Sequence, residues 1–214
     1  MNSIQKAQLK EELTKQLISL STSSGASCSN FLDITKKQND EMSAWHKAIM
    51  RITQAIRGLN EYSTFFVATI FLSAYEINYV STLDRVCFLY IKNGHDLYDS
   101  LHNKFAKNFD DIGKLNTFVK FQFLKEHGLS ILVRENDNEL RNKIAHLDFS
   151  IESEGKIRVR NDIINVSERL VELYDFVTDA NLAYAEAQDN LTADLKRRTE
   201  ELLRKTEELK NIHK

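Results

Sequence analysis

The chain of 214 residues contains no proline. Ordinary usage would give about ten. Proline removes a helix donor and clashes with the preceding turn, so its absence points to long uninterrupted helices. Cysteine is scarce too: Cys28 and Cys87 are the only two, with no CxxC and no metal-ligand spacing. That argues against a disulfide or zinc scaffold and fits a reducing compartment. The histidines form no grouping with acids at metal-like spacing, so no metal site is expected. There is no GxSxG elbow, no glycine loop able to cradle phosphates and no dinucleotide fingerprint. Hydrolase-elbow, NTPase and dehydrogenase chemistries therefore find no support, and no cofactor is expected. Long hydrophobic runs are missing as well. The nearest to one, Phe65 to Tyr75, is about half the length needed to span a bilayer and reads as a buried core helix. Residues 1–19 are polar and carry Lys6, Lys10, Glu11, Glu12 and Lys15, unlike a signal peptide, so a cytoplasmic protein without membrane contact is expected. The sequons at Asn165 and Asn190 are then accidental. A formal net charge of −2 excludes a bulk electrostatic nucleic-acid binder, and any RNA contact must be local.

What is present is helical periodicity. Ile4, Leu9, Leu13, Leu17 and Leu20 recur at helical spacing, ahead of a serine-rich stretch from Ser19 to Asn30 that contains Gly25. We read residues 1–30 as an amphipathic helix and a flexible linker. Asn39-Asp40 offers a helix start ahead of Met42, Trp45, Ile49, Ile52 and Ile56, with Gly58 as its end. A more hydrophobic helix is predicted from about Glu61 to Lys92, stopped by Gly94. His95 to Phe109 is expected to add a short helix or two, and Ile112 to Val133 further apolar segments broken by Gly113 and Gly128. Asn165 or Ser167 opens a last long helix, whose first part should complete a bundle over 31–187. Over 188–214, Leu195, Leu202 and Leu209 repeat every seven residues with Leu191 and Ile212 on the seam. That segment is a coiled-coil candidate for pairing with a second chain or a partner, or a charged helical tail, or a helix lying back on Ile4 to Leu20.

One short run carries chemistry-bearing residues, Glu139-Leu140-Arg141-Asn142-Lys143-Ile144-Ala145-His146-Leu147. Asn136 or Asn138 can cap its helix, and Asp137 and Glu139 favour the first turn. With Leu140 at zero on a helical wheel, Ile144 falls near 40° and Leu147 near 340°, a stripe for burial. Arg141, Ala145, Asn142 and His146 then occupy about 100° to 240°, the outward arc. By spacing alone such an arc is ordinary solvated surface. It is equally a shallow depression at Ala145 flanked by a permanent cation and by a group titrating near neutrality, which suits a phosphodiester. Arg134, Lys143, Lys156, Arg158 and Arg160 add cations nearby, diluted by Glu135, Asp137, Glu139, Glu152 and Glu154.

Arg141 to His146, with four intervening residues and the polar Asn142 after the arginine, resembles the signature of the HEPN superfamily. Leu147 to Ile151, the turn 152–156 and Ile157 to Val159 read as a small hairpin followed by a long helix, an insertion that several HEPN-like sequences carry at this place. The resemblance covers roughly residues 60–187. It implies an all-α, HEPN-like helical bundle with a β-hairpin insertion after the motif helix. It also implies a metal-independent endoribonuclease, acting as a homodimer whose two motif helices line one cleft. Arg141 and His146 would be catalytic, Asn142 would orient the imidazole or substrate, and Lys143, Arg158 and Arg160 would contact RNA. Such proteins act as toxins of toxin–antitoxin pairs or as anti-phage effectors. HEPN toxins controlled by a nucleotidyltransferase antitoxin carry tyrosine two positions after the histidine, where this chain has Asp148, so AMPylation there is not expected. The alternative is a non-catalytic HEPN-like module that binds RNA, nucleotide or a protein partner, or a purely structural bundle.

Overall fold

The computed structural model describes residues 1–23, 25–56, 60–100, 102–153 and 155–212. Gly58, Glu154 and His213, which figured in the sequence reading, lie outside them. Helix α1 (Ser3–Ser23) and α2 (Gly25–Ile56) flank Ser24. The stretch expected as a flexible linker is therefore helical up to Ser23 and again from Gly25, and Asn39-Asp40 lies within α2 rather than at its start. Serine-rich composition is overridden by tertiary packing: Cys28 and Phe31, on the first turns of α2, are buried.

Leu9, Leu13, Leu17 and Leu20 of α1 are all buried to 1% exposure or less, as their spacing predicts, whereas Ile4 is exposed. The partner of this stripe is the final helix α8 (Val166–Ile212). The pairing is parallel. The Met1 ammonium and Lys6 both reach Asp179, Lys10 meets Glu186, and Asn190 donates to Thr14. Asn165 caps α8, its side-chain oxygen accepting from the Glu168 amide at 3.2 Å. Beyond the reach of α1 the helix continues with Leu195, Leu202 and Leu203 exposed, supported by pairs such as Arg198–Asp194 and Lys205–Glu201.

The expected hydrophobic helix runs continuously over 60–92, as α3 (Asn60–Ala74), a π-helical segment (Tyr75–Val80) and α4 (Ser81–Lys92). Its stretch Ser63–Lys92 meets the length and hydropathy of a membrane span, with 56% of its apolar window buried inside the protein. It forms the centre of the core, where Phe71, Tyr75, Tyr79, Phe88 and Tyr90 are buried with Phe31 and Phe121.

The protein is mostly helical, with the long C-terminal helix the sequence predicted, but it also holds two small antiparallel sheets. Strands β1 (Leu97–Asp99) and β2 (Lys104–Ala106) form a hairpin where helix was expected. Burial there alternates, with Leu97, Asp99 and Ala106 inside and Tyr98 and Phe105 outside, which is the period of a strand. Short helices α5 (Phe109–Gly113) and α6 (Thr117–Glu126) follow, each capped by an asparagine, Asn108 and Asn116. After the motif helix α7 (Glu135–Ala145), the predicted hairpin is present as β3 (Ser150–Ser153) and β4 (Lys156–Val159), and a third strand, β5 (Asp162–Asn165), extends it. Thr64 of α3 fastens this sheet. Its hydroxyl donates to the Ser153 carbonyl and accepts from the Gly155 amide. Gly155 is required there, because its φ is 72° and a Cβ would lie 2.7 Å from the Ser167 hydroxyl.

Candidate functional site

Helix α7 begins without a side-chain cap: neither Asn136 nor Asn138 takes that role, and Arg134 occupies the position. Asn138 is used elsewhere, accepting from the Tyr75 hydroxyl at 2.9 Å. Tyr75 is the first residue of the π segment, and Glu76 and Tyr79 of the same segment also reach α7 or its start. The Tyr79 hydroxyl donates to the Leu132 carbonyl at 2.8 Å and accepts from the Arg134 amide at 3.0 Å. Glu76 pairs with the Arg141 guanidinium through its Nε and Nη2. A wider helical turn shifts the face on which residues four apart appear, and here it delivers one carboxylate and two buried phenols to α7. Burial pushes both phenols up, beyond the range in which they ionise.

The expected stripe is half right. Leu140 and Ile144 are buried, but Leu147 is 67% exposed. The helix ends at Ala145, His146 is the C-cap, and Leu147 has φ 55°. The Asp148 amide donates to the Lys143 carbonyl and the Leu147 amide to that of Ile144, a Schellman ending. The wheel therefore stops applying one residue before Leu147. A left-handed leucine costs roughly 1–2 kcal/mol. Leu147→Gly is accordingly expected to stabilise the fold by about 1 kcal/mol in urea denaturation.

Ending the helix there leaves Ala145 and His146 facing solvent. Arg141 is two-thirds covered, and its Nη1 donates to Asn142 Oδ1 at 2.8 Å. The Asn142 side chain thus meets the Arg141 guanidinium, while its backbone carbonyl accepts from the His146 amide. Lys143 pairs with Asp148 at 2.6 Å. That hydrogen bond and charge, with further charge from Arg160 and His146, hold the Asp148 carboxyl below its ordinary range. Arg160, at the tip of the β4–β5 hairpin with φ 55°, is near enough to add its charge at Asp148. Arg158 is paired instead with Glu152 on the sheet.

Two histidine arrangements escaped the sequence. His95 and His102 lie in separate arrangements. The His127 Nε2 sits 3.1 Å from His95 Nδ1, and its Nδ1 sits 2.8 Å from the Phe123 carbonyl. His127 Nδ1 is placed to donate to that carbonyl, which leaves its Nε2 as the hydrogen-bond partner of His95 Nδ1. Desolvation, then the nearness of His127, lowers the His95 pKa, with Glu12 opposing. A depressed folded value means that the unfolded chain takes protons first. The contribution of His95 is present above about pH 6.5 and is lost as pH falls below it. The urea midpoint is expected to drop as the pH falls below about 6.5, and His95→Gln should flatten that slope.

His102 instead pairs with Asp99, Nδ1 to Oδ2 at 2.6 Å, the carboxylate buried and the ring exposed. A cavity of about 560 Å³ beside it is lined by Lys104, Lys107 and Lys114. The rings of Tyr98 and Phe105 lie exposed on the same hairpin, 4.8 Å apart. Cations interleaved with open aromatic faces can hold a nucleic-acid strand. Only an antiparallel pairing that no helical periodicity announces brings these residues together.

No group of three or more metal-ligating side chains occurs among the described residues. Comparison with protein-family models, curated proteins and solved structures finds no match to this chain.

Proposed function

We propose that the chain is a metal-independent endoribonuclease of the HEPN type, working in the cytoplasm as a homodimer with a composite active site. The observation that carries this reading is the ending of α7. Arg141 is fixed by Glu76, while His146 stands one residue past the helix and open to solvent, next to the Schellman turn that the Lys143–Asp148 pair closes. His146 takes the proton of the ribose 2′-hydroxyl as that oxygen attacks the neighbouring phosphorus. Arg141 offsets the charge growing on the phosphate oxygens, a task its planar fork of donors suits. The His146 of a facing copy returns a proton to the departing 5′-oxygen. Products are a 2′,3′-cyclic phosphate and a 5′-hydroxyl. Leu147, next to His146, is exposed, as are Phe65, Ile151 and Ile163, and Phe65 stacks on Phe149, two residues beyond Leu147, at 6.5 Å. That apolar surface supports pairing of two copies here. A toxin or anti-phage effector is the biological role this chemistry fits.

A second reading, a non-catalytic module binding RNA or a protein partner, is favoured by one observation: Glu76 already occupies the Nε–Nη2 edge of the Arg141 guanidinium, and Asn142 accepts from its Nη1. Incubating the purified protein with labelled RNA in EDTA and identifying the product ends separates the two. Cyclic-phosphate ends support the enzyme, and retention of intact RNA supports the module.

A further inference from the structure

Arg85 is 3% exposed and, among the described residues, pairs with no carboxylate. Its nearest acid in sequence, Asp84, is committed to Lys120 at 2.5 Å. What the guanidinium does touch is neutral. Nη2 donates to Asn181 Oδ1 and, at 3.4 Å, to the Thr82 hydroxyl, and the group lies 5.2 Å from the Tyr184 ring centroid. Its Nε is buried with no acceptor. Arginine cannot shed its proton to escape this position, and a buried cation without a counter-charge is destabilising. Burial indeed pulls its pKa down from the usual value.

Arg85 does not itself line, but is joined through Asn181 to, a cleft of about 310 Å³ between α2, the π segment and α8, lined among others by Asn39, Ser43, Lys47, Asn78, Thr178 and Asn181. The lining contains a lysine and no acid. Asn78, Thr82 and Arg85 follow at helical spacing, so the guanidinium and the cleft share one face of the 60–92 helix. Asn181 joins them. Its oxygen must face the arginine, which has only donors, so its amide N–H groups point the other way as further donors. Asn78, 3% exposed, keeps its Oδ1 without a donor.

We propose that this cleft binds a small phosphate monoester. Its phosphate balances Arg85 and Lys47 and takes the Asn181 amide, and a hydroxyl of the same molecule donates to Asn78 Oδ1. The site is separate from Arg141 and His146 and does not depend on their chemistry.

The test uses the full chain and calorimetric titration with ribose 5-phosphate, inorganic phosphate and ribose. Ribose 5-phosphate is expected to bind and to raise Tm, and ribose is not. Arg85→Met, which replaces an uncompensated buried charge by an apolar chain of similar length, should fold at least as stably as the parent. Its affinity should fall at least tenfold. Lys47→Gln, at the exposed rim, should weaken binding severalfold without moving the ligand-free Tm, and stands in if Arg85→Met does not fold. Equal binding of inorganic phosphate would support the oxyanion site and assign the free ion as its occupant. Binding of ribose as tight as that of its phosphate, no binding by the parent, or undiminished binding in the variants overturns the proposal.

Discussion

Replacing His146 by alanine is expected to lower RNA cleavage in EDTA by about 10²–10⁴-fold, the usual worth of a positioned acid or base. Arg141→Ala should cost roughly 10²–10³-fold, as loss of one donor to a developing oxyanion does. Neither change should disturb folding much. His146 lies outside the helix, exposed, and its amide, which caps the helix end, is kept in the variant. Arg141 is partly exposed, and the Glu76 it leaves behind is 39% exposed, so water can take its place. A circular-dichroism melt on each variant, run beside the cleavage assay, separates lost chemistry from lost structure. Cleavage that persists in both variants would place the activity elsewhere, and the His102–Asp99 pair with its three lysines is then the surface to change next. If all forms leave RNA intact but retain it on a filter, the binding module is the better description.

The second large effect concerns stability alone. Lys120→Met should destabilise the protein by about 3–5 kcal/mol, because it strands the Asp84 carboxylate in the core. The Lys120 side chain is 1% exposed and that of Asp84 8%, and their contact is 2.5 Å. Burial pushes the Asp84 carboxyl above its usual range even with the lysine beside it, so desolvation outweighs the attraction. The pair therefore adds little net stability, and its cost appears when one member goes. Asp84→Leu combined with Lys120→Met should return the urea midpoint close to that of the parent, a coupling that the two single variants cannot show. Equal and additive losses would mean that the charges act independently.

By itself the sequence determined the long helices over 60–92 and at the C-terminal end, and the buried face of α1. Without proline nothing interrupts 60–92 or α8, and the leucines of α1 recur at a spacing that puts Leu9, Leu13, Leu17 and Leu20 on one side. The β3–β4 turn was legible for the same local reason, since Gly155 takes a φ that other residues resist. Tertiary structure decided what periodicity cannot carry. Leu147 fits the buried stripe by number, yet the chain turns left-handed there and exposes it. The strands at Leu97–Asp99 and Lys104–Ala106 are too short to show alternation against their surroundings, so the His102–Asp99 pair stayed hidden. Most of all, the partners of charged groups are distant in the chain. Arg141 meets Glu76, His127 meets His95, and Arg85 meets Asn181. A side chain's neighbour across a core depends on how whole elements are stacked, and no residue near it in sequence records that choice.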